Sequence, residues 1–151
     1  MTSKITTLLN TIDSKLATIL TGKTIIPYPE SIQDNEEVFL RNGYGVKYNG
    51  GNPTLGEFCN YSVKHDVSVV LTREFFDFDS GYTNDKNDKK TMLEDAYLIQ
   101  NTFYNVNKFG LGVNCEMVEL GALSGILSVE NKRKIRSLEI NFTFTIKEGF
   151  I

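Results

Sequence analysis

The last strand-like segment of the chain, Arg136 to Lys147, constrains the fold more than any other feature of the sequence. Long and apolar side chains alternate with polar ones along it almost without exception. A period of two residues is typical of a β-strand with one buried face and one polar face. The polar face is rich in Thr, Asn and Glu. We expect it to meet solvent, to line a channel or to contact a neighbouring subunit.

A second long segment, Asn60 to Phe76, has the same alternation and predicts a half-buried antiparallel strand. The run from Val38 to Tyr48 leaves two alternatives open. Asn42-Gly43 is typical of a hairpin turn between apolar runs. A single strand from Gly43 to Tyr48, followed by a long loop, explains the Gly-rich and Asn-rich residues after it equally well.

The N-terminal segment from Ile5 to Leu20 has apolar residues at the 3.6-residue spacing of an amphipathic helix. Thr2 or Ser3 can cap its start, and Gly22 stands where a helix is expected to end.

A second amphipathic helix is predicted from Asp88 to Val106. Leu93 and Tyr97 widen its apolar stripe, and a charged connection over residues 77–90 is predicted to be a loop.

The order of these elements predicts an α+β fold. Short strands are also expected at Val113–Leu120 and Leu127–Val129, and a basic turn at 131–134 precedes the last strand. Two amphipathic helices and a half-buried sheet most simply make two layers. We therefore predict one domain over residues 1–151, with a mainly antiparallel or mixed sheet and both helices packed on one face.

Composition limits the class of protein. The chain has 151 residues and a net charge of −3, with a pI of about 5.2, which argues against a general nucleic-acid binder. No apolar run approaches the roughly 20 residues that span a bilayer, so no membrane contact is predicted. The N-terminus lacks the apolar core of a signal peptide. A cytosolic product is expected, with Cys59 and Cys115 as free thiols.

The sequence offers few groups for chemistry, and no catalytic, metal or cofactor site is predicted. His65 is the single histidine and lies on the apolar side of its strand, which is typical of a core or interface residue. Asp77-x-Asp79 has a faint likeness to the start of a calcium loop. Asp88 would then stand where such a loop needs a Glu. We interpret this segment as a solvated turn.

The densest basic run is Lys132, Arg133 and Lys134, followed by Arg136. The simpler interpretation is a solvated loop that keeps the strand entrance soluble. The functional alternative is a contact with an acidic partner surface or with passing DNA.

The whole layout resembles the tail terminator proteins of long-tailed bacteriophages, also described as minor tail protein U-like or tail-to-head joining proteins. The resemblance is carried by the order of elements: the opening helix, the short strand and Gly-rich segment Tyr44–Gly51, the long strand Tyr61–Phe75, the helix Asp88–Val106, and the closing strand LEINFTFTIKEGF.

The resemblance implies a structural virion protein rather than an enzyme, without a cofactor. Such a protein forms a hexameric ring that caps the tail tube, stops tube polymerisation and joins the tail to the head. Its implied partners are the tail tube protein and the head–tail connector or neck protein, with DNA passing through the lumen without sequence specificity. Its implied location is the neck region of the virion, and the host cytoplasm during assembly.

The ring interface is expected to bury three phenylalanines beside an acidic turn, and core packing at a strand end is the alternative for them. The expected ring or partner contacts, including the basic run, are Phe75, Phe76, Asp77, Phe78, Asp79, Lys132, Arg133, Lys134 and Arg136. Other functions remain open: another neck, connector or head-completion protein, a tail-tube protein, or a small-molecule-binding α+β domain.

Overall fold

The computed structural model describes residues 3–54, 60–75, 82–104, 115–132 and 134–149. The helices are α1 (Lys4–Ile19), α2 (Glu37–Leu40) and α3 (Tyr82–Phe103), with a 3-10 turn at Ile32–Asp34. The strands are β1 (Thr24–Ile25), β2 (Asn42–Thr54), β3 (Asn60–Glu74), β4 (Cys115–Leu123), β5 (Leu127–Ser128) and β6 (Ile135–Gly149).

The strands form one mixed sheet in the order β1-β2-β3-β6-β4, with β5 paired to β6. β3 and β6, the two strands with the strongest alternation, pair antiparallel along their whole length, from Asn60 opposite Gly149 to Glu74 opposite Ile135. β1 pairs parallel to β2. The predicted α+β class with a mixed sheet is confirmed.

The core lies between one face of this sheet and the two long helices. α1 contributes Leu8, Ile12 and Leu16, all nearly inaccessible to solvent. The Phe103 ring of α3 packs edge-on against the Phe142 ring of β6, with 5.7 Å between ring centroids. The even-numbered side chains of β6 point to this face, as the alternation predicts. Both helices therefore cover the same face.

α1 agrees with its prediction because local signals set both ends. The Ser3 hydroxyl accepts a hydrogen bond from the Thr6 amide at 3.2 Å, which is the geometry of an N-cap. Beyond the helix, Gly22 has a positive φ of 85°, a conformation that favours glycine at the end of a helix.

α3 begins at Tyr82 rather than at Asp88, so the loop predicted over residues 77–90 is wrong from Tyr82 onward. The Asp88 carboxylate lies within the helix and accepts a hydrogen bond from Arg73 Nε of β3 at 2.8 Å. This tertiary contact holds a polar stretch in helical form, which local propensity did not indicate. The helix ends at Phe103 within the described residues, and Val106 lies outside them.

The hairpin turn at Asn42-Gly43 is also wrong, because both residues lie in β2 opposite Arg73 and Thr72. Gly43 is required there by close packing, since a Cβ would overlap the carbonyl of Phe39. The predicted long loop is likewise strand as far as Thr54, with a bulge between Tyr48 and Gly51.

A second, smaller core covers one end of the opposite face of the sheet. It is formed by Ile26, Leu40, Val129 and Ile135. Ser68, Val70 and Thr72 of β3 lie on this opposite face and are buried as well, so this half of the strand is buried on both faces. The prediction that β3 is buried on only one face holds for the rest of the strand.

The C-terminal third of the chain agrees in outline with the strands predicted for it. β4 runs through Gly121 to Leu123 with a register shift after Leu120, whereas the predicted strand ended at Leu120. β5 pairs briefly with β6 as expected. A turn follows at Asn131, which has a φ of 63°.

Two exposed edges of the sheet as candidate assembly surfaces

Phe75, one of the predicted contact residues, is a core residue. Its side chain is fully buried, and the Arg136 guanidinium lies 4.6 Å from the ring centroid. The Phe75 amide donates to the Lys134 carbonyl at 2.7 Å. Core packing at a strand end is therefore the correct interpretation for Phe75. Five of the predicted contact residues lie outside the described residues. They are Phe76, Asp77, Phe78, Asp79 and Arg133.

The described basic residues lie at the same end of the sheet as Phe75. Lys132 accepts and donates backbone hydrogen bonds in the turn that connects Val129 to Ile135. Lys132, Lys134 and Arg136 are each partly buried. Arg136 stands directly opposite Arg73 in the β3–β6 register, and Arg73 pairs with Asp88 at 2.8 Å.

The β1 edge of the sheet exposes three large apolar side chains. Ile25 is 65% exposed, Tyr28 61% and Val38 53%. We call these three residues the Tyr28 edge. Four exposed carboxylates belong to the same segment of chain, at Glu30, Asp34, Glu36 and Glu37.

The loop that carries Tyr28 is braced from within by one buried amide. Asn35 is only 2% exposed. Its Oδ1 accepts from the Tyr28 amide at 2.9 Å. Its Nδ2 donates to the carbonyls of Tyr28, Ser31 and Ile32 at 2.9–3.1 Å. A buried and satisfied amide of this kind holds the backbone of the loop in one conformation.

The opposite edge of the sheet carries a different apolar surface. The exposed apolar side chains here are Leu93, Tyr97 and Leu98 of α3, Tyr104 directly after it, and Leu120 of β4. Between the two elements lies a pocket of about 190 Å³ lined by Tyr97, Gln100, Asn101, Tyr104 and Leu120. We call this surface the α3–β4 groove.

Leu93 and Tyr97 were predicted to widen the buried stripe of the second helix, and this is wrong. They are 48% and 69% exposed, whereas Met92 and Ala96 face the core. The sequence did contain a signal for their exposure, because an apolar stripe broader than one helix face implies a second apolar surface on that helix. The Tyr28 edge left no such signal, since its residues come from separate short elements.

The uncovered part of the polar face carries hydrogen bonds that cross four strands. Asn49 Nδ2 donates to Ser68 Oγ at 2.7 Å, and Ser68 Oγ donates to Asn141 Oδ1 at 2.6 Å. Asn141 Nδ2 then donates to the Ala122 carbonyl at 2.8 Å. A salt bridge joins Lys47 to Glu139 nearby at 2.9 Å. Ser68 itself is buried, and the side chains bonded to it belong to a polar, partly exposed surface of fixed geometry.

His65 is 6% exposed and therefore belongs to the interior, as predicted. Its Nδ1 lies 2.8 Å from the Tyr48 hydroxyl, while its buried Nε2 has no hydrogen-bond partner. Burial lowers the pKa of His65, and the carboxylates of Glu148 and Asp66 oppose that effect. Burial therefore favours the neutral form of the ring, which lies beside the bulge in β2.

A cleft at the α2 end offers little net charge to a ligand. Its volume is about 360 Å³, and Arg41 and Arg73 line it. Each arginine has an acidic partner, because Arg41 pairs with Glu74 at 3.1 Å and Arg73 with Asp88 at 2.8 Å. The charges in the cleft are therefore balanced by the protein itself.

Cys115 is partly buried and unpaired, and burial raises the pKa of its thiol to about 11. A thiol with that pKa is protonated at neutral pH and is a weak nucleophile. Among the described residues, no group of three His, Cys, Asp or Glu side chains is placed to hold a metal ion. No described helix is long and apolar enough to cross a membrane.

No family model matches the sequence, and no curated protein matches it.

Proposed function

We propose that this protein is a structural assembly protein of the tail-terminator type, which forms a ring on a phage tail tube and joins the tail to the head. The observation that supports the proposal is the pair of unlike apolar surfaces at opposite edges of one sheet. The Tyr28 edge lies beside β1, and the α3–β4 groove lies beside β4.

Two unlike surfaces suit head-to-tail association between identical subunits. Such an interface uses different patches on the two partners, and it closes into a ring if the rotation between neighbours closes. Exposed apolar side chains that cluster at a protein surface commonly mark protein–protein contacts. A single patch would instead favour a two-fold dimer.

The polar face of the sheet suits the remaining surfaces of a ring subunit. Asn141 on this face is held by a hydrogen bond from the buried Ser68 of the neighbouring strand, so the surface needs little reordering when it meets a partner. We propose that it faces the channel or an axial partner. Those partners would be the tail tube protein and the head–tail connector, with DNA passing through the channel.

The size of the native particle tests the proposal. Sedimentation and negative-stain electron microscopy of the purified protein, alone and with tail tubes, should show one discrete ring whose size does not grow with concentration. Filaments would indicate a tail-tube protein, in which the same two edges associate without closing. A particle that stays monomeric at high concentration and does not bind tail tubes would contradict the proposal.

A further inference from the structure

We infer that Tyr28 of one subunit inserts into the α3–β4 groove of the next copy of the same chain. This inference rests on the proposed head-to-tail association and identifies the residues that make the contact. The occupant of the groove is therefore a second copy, and the inserted group is a phenol ring.

The first argument is the rigidity of the inserted residue. Tyr28 is 61% exposed, yet its own amide and carbonyl are both bonded to the buried Asn35 side chain. An exposed aromatic residue on a braced backbone loses little conformational entropy on binding. Tyrosine is also enriched among the few interface residues that contribute most of the binding energy.

The second argument is the size and chemistry of the groove. Its pocket of about 190 Å³ exceeds the roughly 150 Å³ cavity that accommodates a benzene ring. Leu120 and Tyr97 supply apolar walls, and the amides of Gln100 and Asn101 are polar groups on the same lining. A buried tyrosine needs both an apolar wall and a partner for its hydroxyl.

The third argument is charge. The segment around Tyr28 exposes carboxylates at Asp34, Glu36 and Glu37. Among the side chains that the structure describes, the outer face of α3 exposes two lysines, Lys89 and Lys90, one turn before Leu93, and one carboxylate, that of Glu94. The acidic surface on one copy therefore complements the basic start of the groove on the next. Such complementarity favours the correct orientation of two partners.

Cross-linking between two single-cysteine variants tests the contact directly. In a Cys59→Ser, Cys115→Ser background, Tyr28→Cys protein is mixed with Asn101→Cys protein and treated with a short bis-maleimide. Cross-linked dimers are expected in the mixture, whereas each variant alone should give almost none because the interface is head-to-tail. Thr18→Cys, exposed on α1, replaces Tyr28→Cys as the matched control and should not cross-link.

Substitution of Tyr28 tests its contribution. Tyr28→Ala should weaken self-association by about 30-fold, the effect of a dominant interface residue. Tyr28→Phe should lose much less, because the ring is retained. Thr18→Ala should have no effect. Circular dichroism should show unchanged folding in all three, since both side chains are exposed.

Charge reversal provides an independent measurement. Glu36→Lys with Glu37→Lys should weaken self-association, and so should Lys89→Glu with Lys90→Glu. A mixture of the two reversed proteins should associate better than either alone, and the effect should shrink as salt is raised.

The outcomes separate this contact from the proposed function. If rings form normally with Tyr28→Ala and no cross-link appears in the mixture, the contact is wrong while the ring proposal stands. If Tyr28→Ala still forms rings but no longer binds tail tubes, the loop contacts the tube protein, and the inference is overturned. If the unmodified protein neither self-associates nor binds tail tubes, both proposals fail.

Discussion

The two faces of the sheet are stabilised in different ways. One face is covered by α1 and α3 and is filled with large apolar side chains such as Phe142 and Phe144. The other is covered at one end only, and elsewhere it presents polar side chains bonded across strands. The comparison teaches that apolar burial supplies most of the stability, while the hydrogen-bonded face supplies a surface of fixed geometry.

The largest effect is expected on the covered face. Phe142→Ala removes a side chain that is 2% exposed and packs against the Phe103 ring. Loss of the buried ring and the cavity left behind should lower the free energy of unfolding by about 3–5 kcal/mol. Urea denaturation measures this loss of stability. Thr143→Ala, the adjacent residue on the polar face, is the control and should cost about 1 kcal/mol. If the two substitutions lowered the free energy of unfolding equally, the covered face would not be the more strongly stabilised of the two.

A smaller effect is expected at the centre of the polar face. Ser68 is completely buried and joins Asn49 to Asn141. Ser68→Ala should lower the free energy of unfolding by about 1–3 kcal/mol, because two amides lose their partner. Amide hydrogen exchange should also rise in β2 and β6 near these residues. A neutral substitution would mean that the hydrogen bonds between strands do not stabilise this face.

The pH dependence of stability tests the contribution of the buried His65 ring. Burial disfavours the charged imidazole and lowers its pKa below the ordinary value of 6.5. The unfolded chain therefore binds the proton more readily, so the stability that the neutral ring contributes is present above pH 6.5 and is lost as the pH falls below it.

Urea denaturation of the native protein and of His65→Gln between pH 7.5 and 5.5 measures this effect. His65 is the single histidine in the sequence, so both proteins share the same background of carboxylates. The native protein should lose more stability than the variant over this range. Parallel curves would show that the ring does not titrate differently in the folded state.

The smallest effect is expected at the salt bridge of the polar face. The Lys47 and Glu139 side chains are 24% and 32% exposed, and water screens a pair of this kind. Lys47→Met should change the free energy of unfolding by about 0–1 kcal/mol. Differential scanning calorimetry at low and high salt measures this change in stability. A loss of stability as large as that of Phe142→Ala would show that the polar face is stabilised as strongly as the covered face.

The candidate surfaces were only partly predictable. Tyr97 was recognised as an apolar position on a helix, but its exposure depends on how α3 is rotated against the sheet. Tyr28 becomes prominent because Asn35, seven residues later, folds under the loop and holds it. Neither fact follows from periodicity, because each depends on contacts between separate elements.

Periodicity by itself determined the parts of this protein in which each residue's environment repeats along the chain. The alternation in β3 and β6, the apolar stripe of α1 and the α+β class follow from it, since one buried face needs only local spacing. The tertiary structure decided what depends on distant residues. The packing of Gly43 against Phe39 places Asn42 and Gly43 in a strand. Arg73 of β3 pairs with Asp88 of α3, a helix that begins earlier than predicted. Long-range contacts outweigh local propensity at these positions because burial and ion pairing contribute more free energy than the preference of a few residues for a turn.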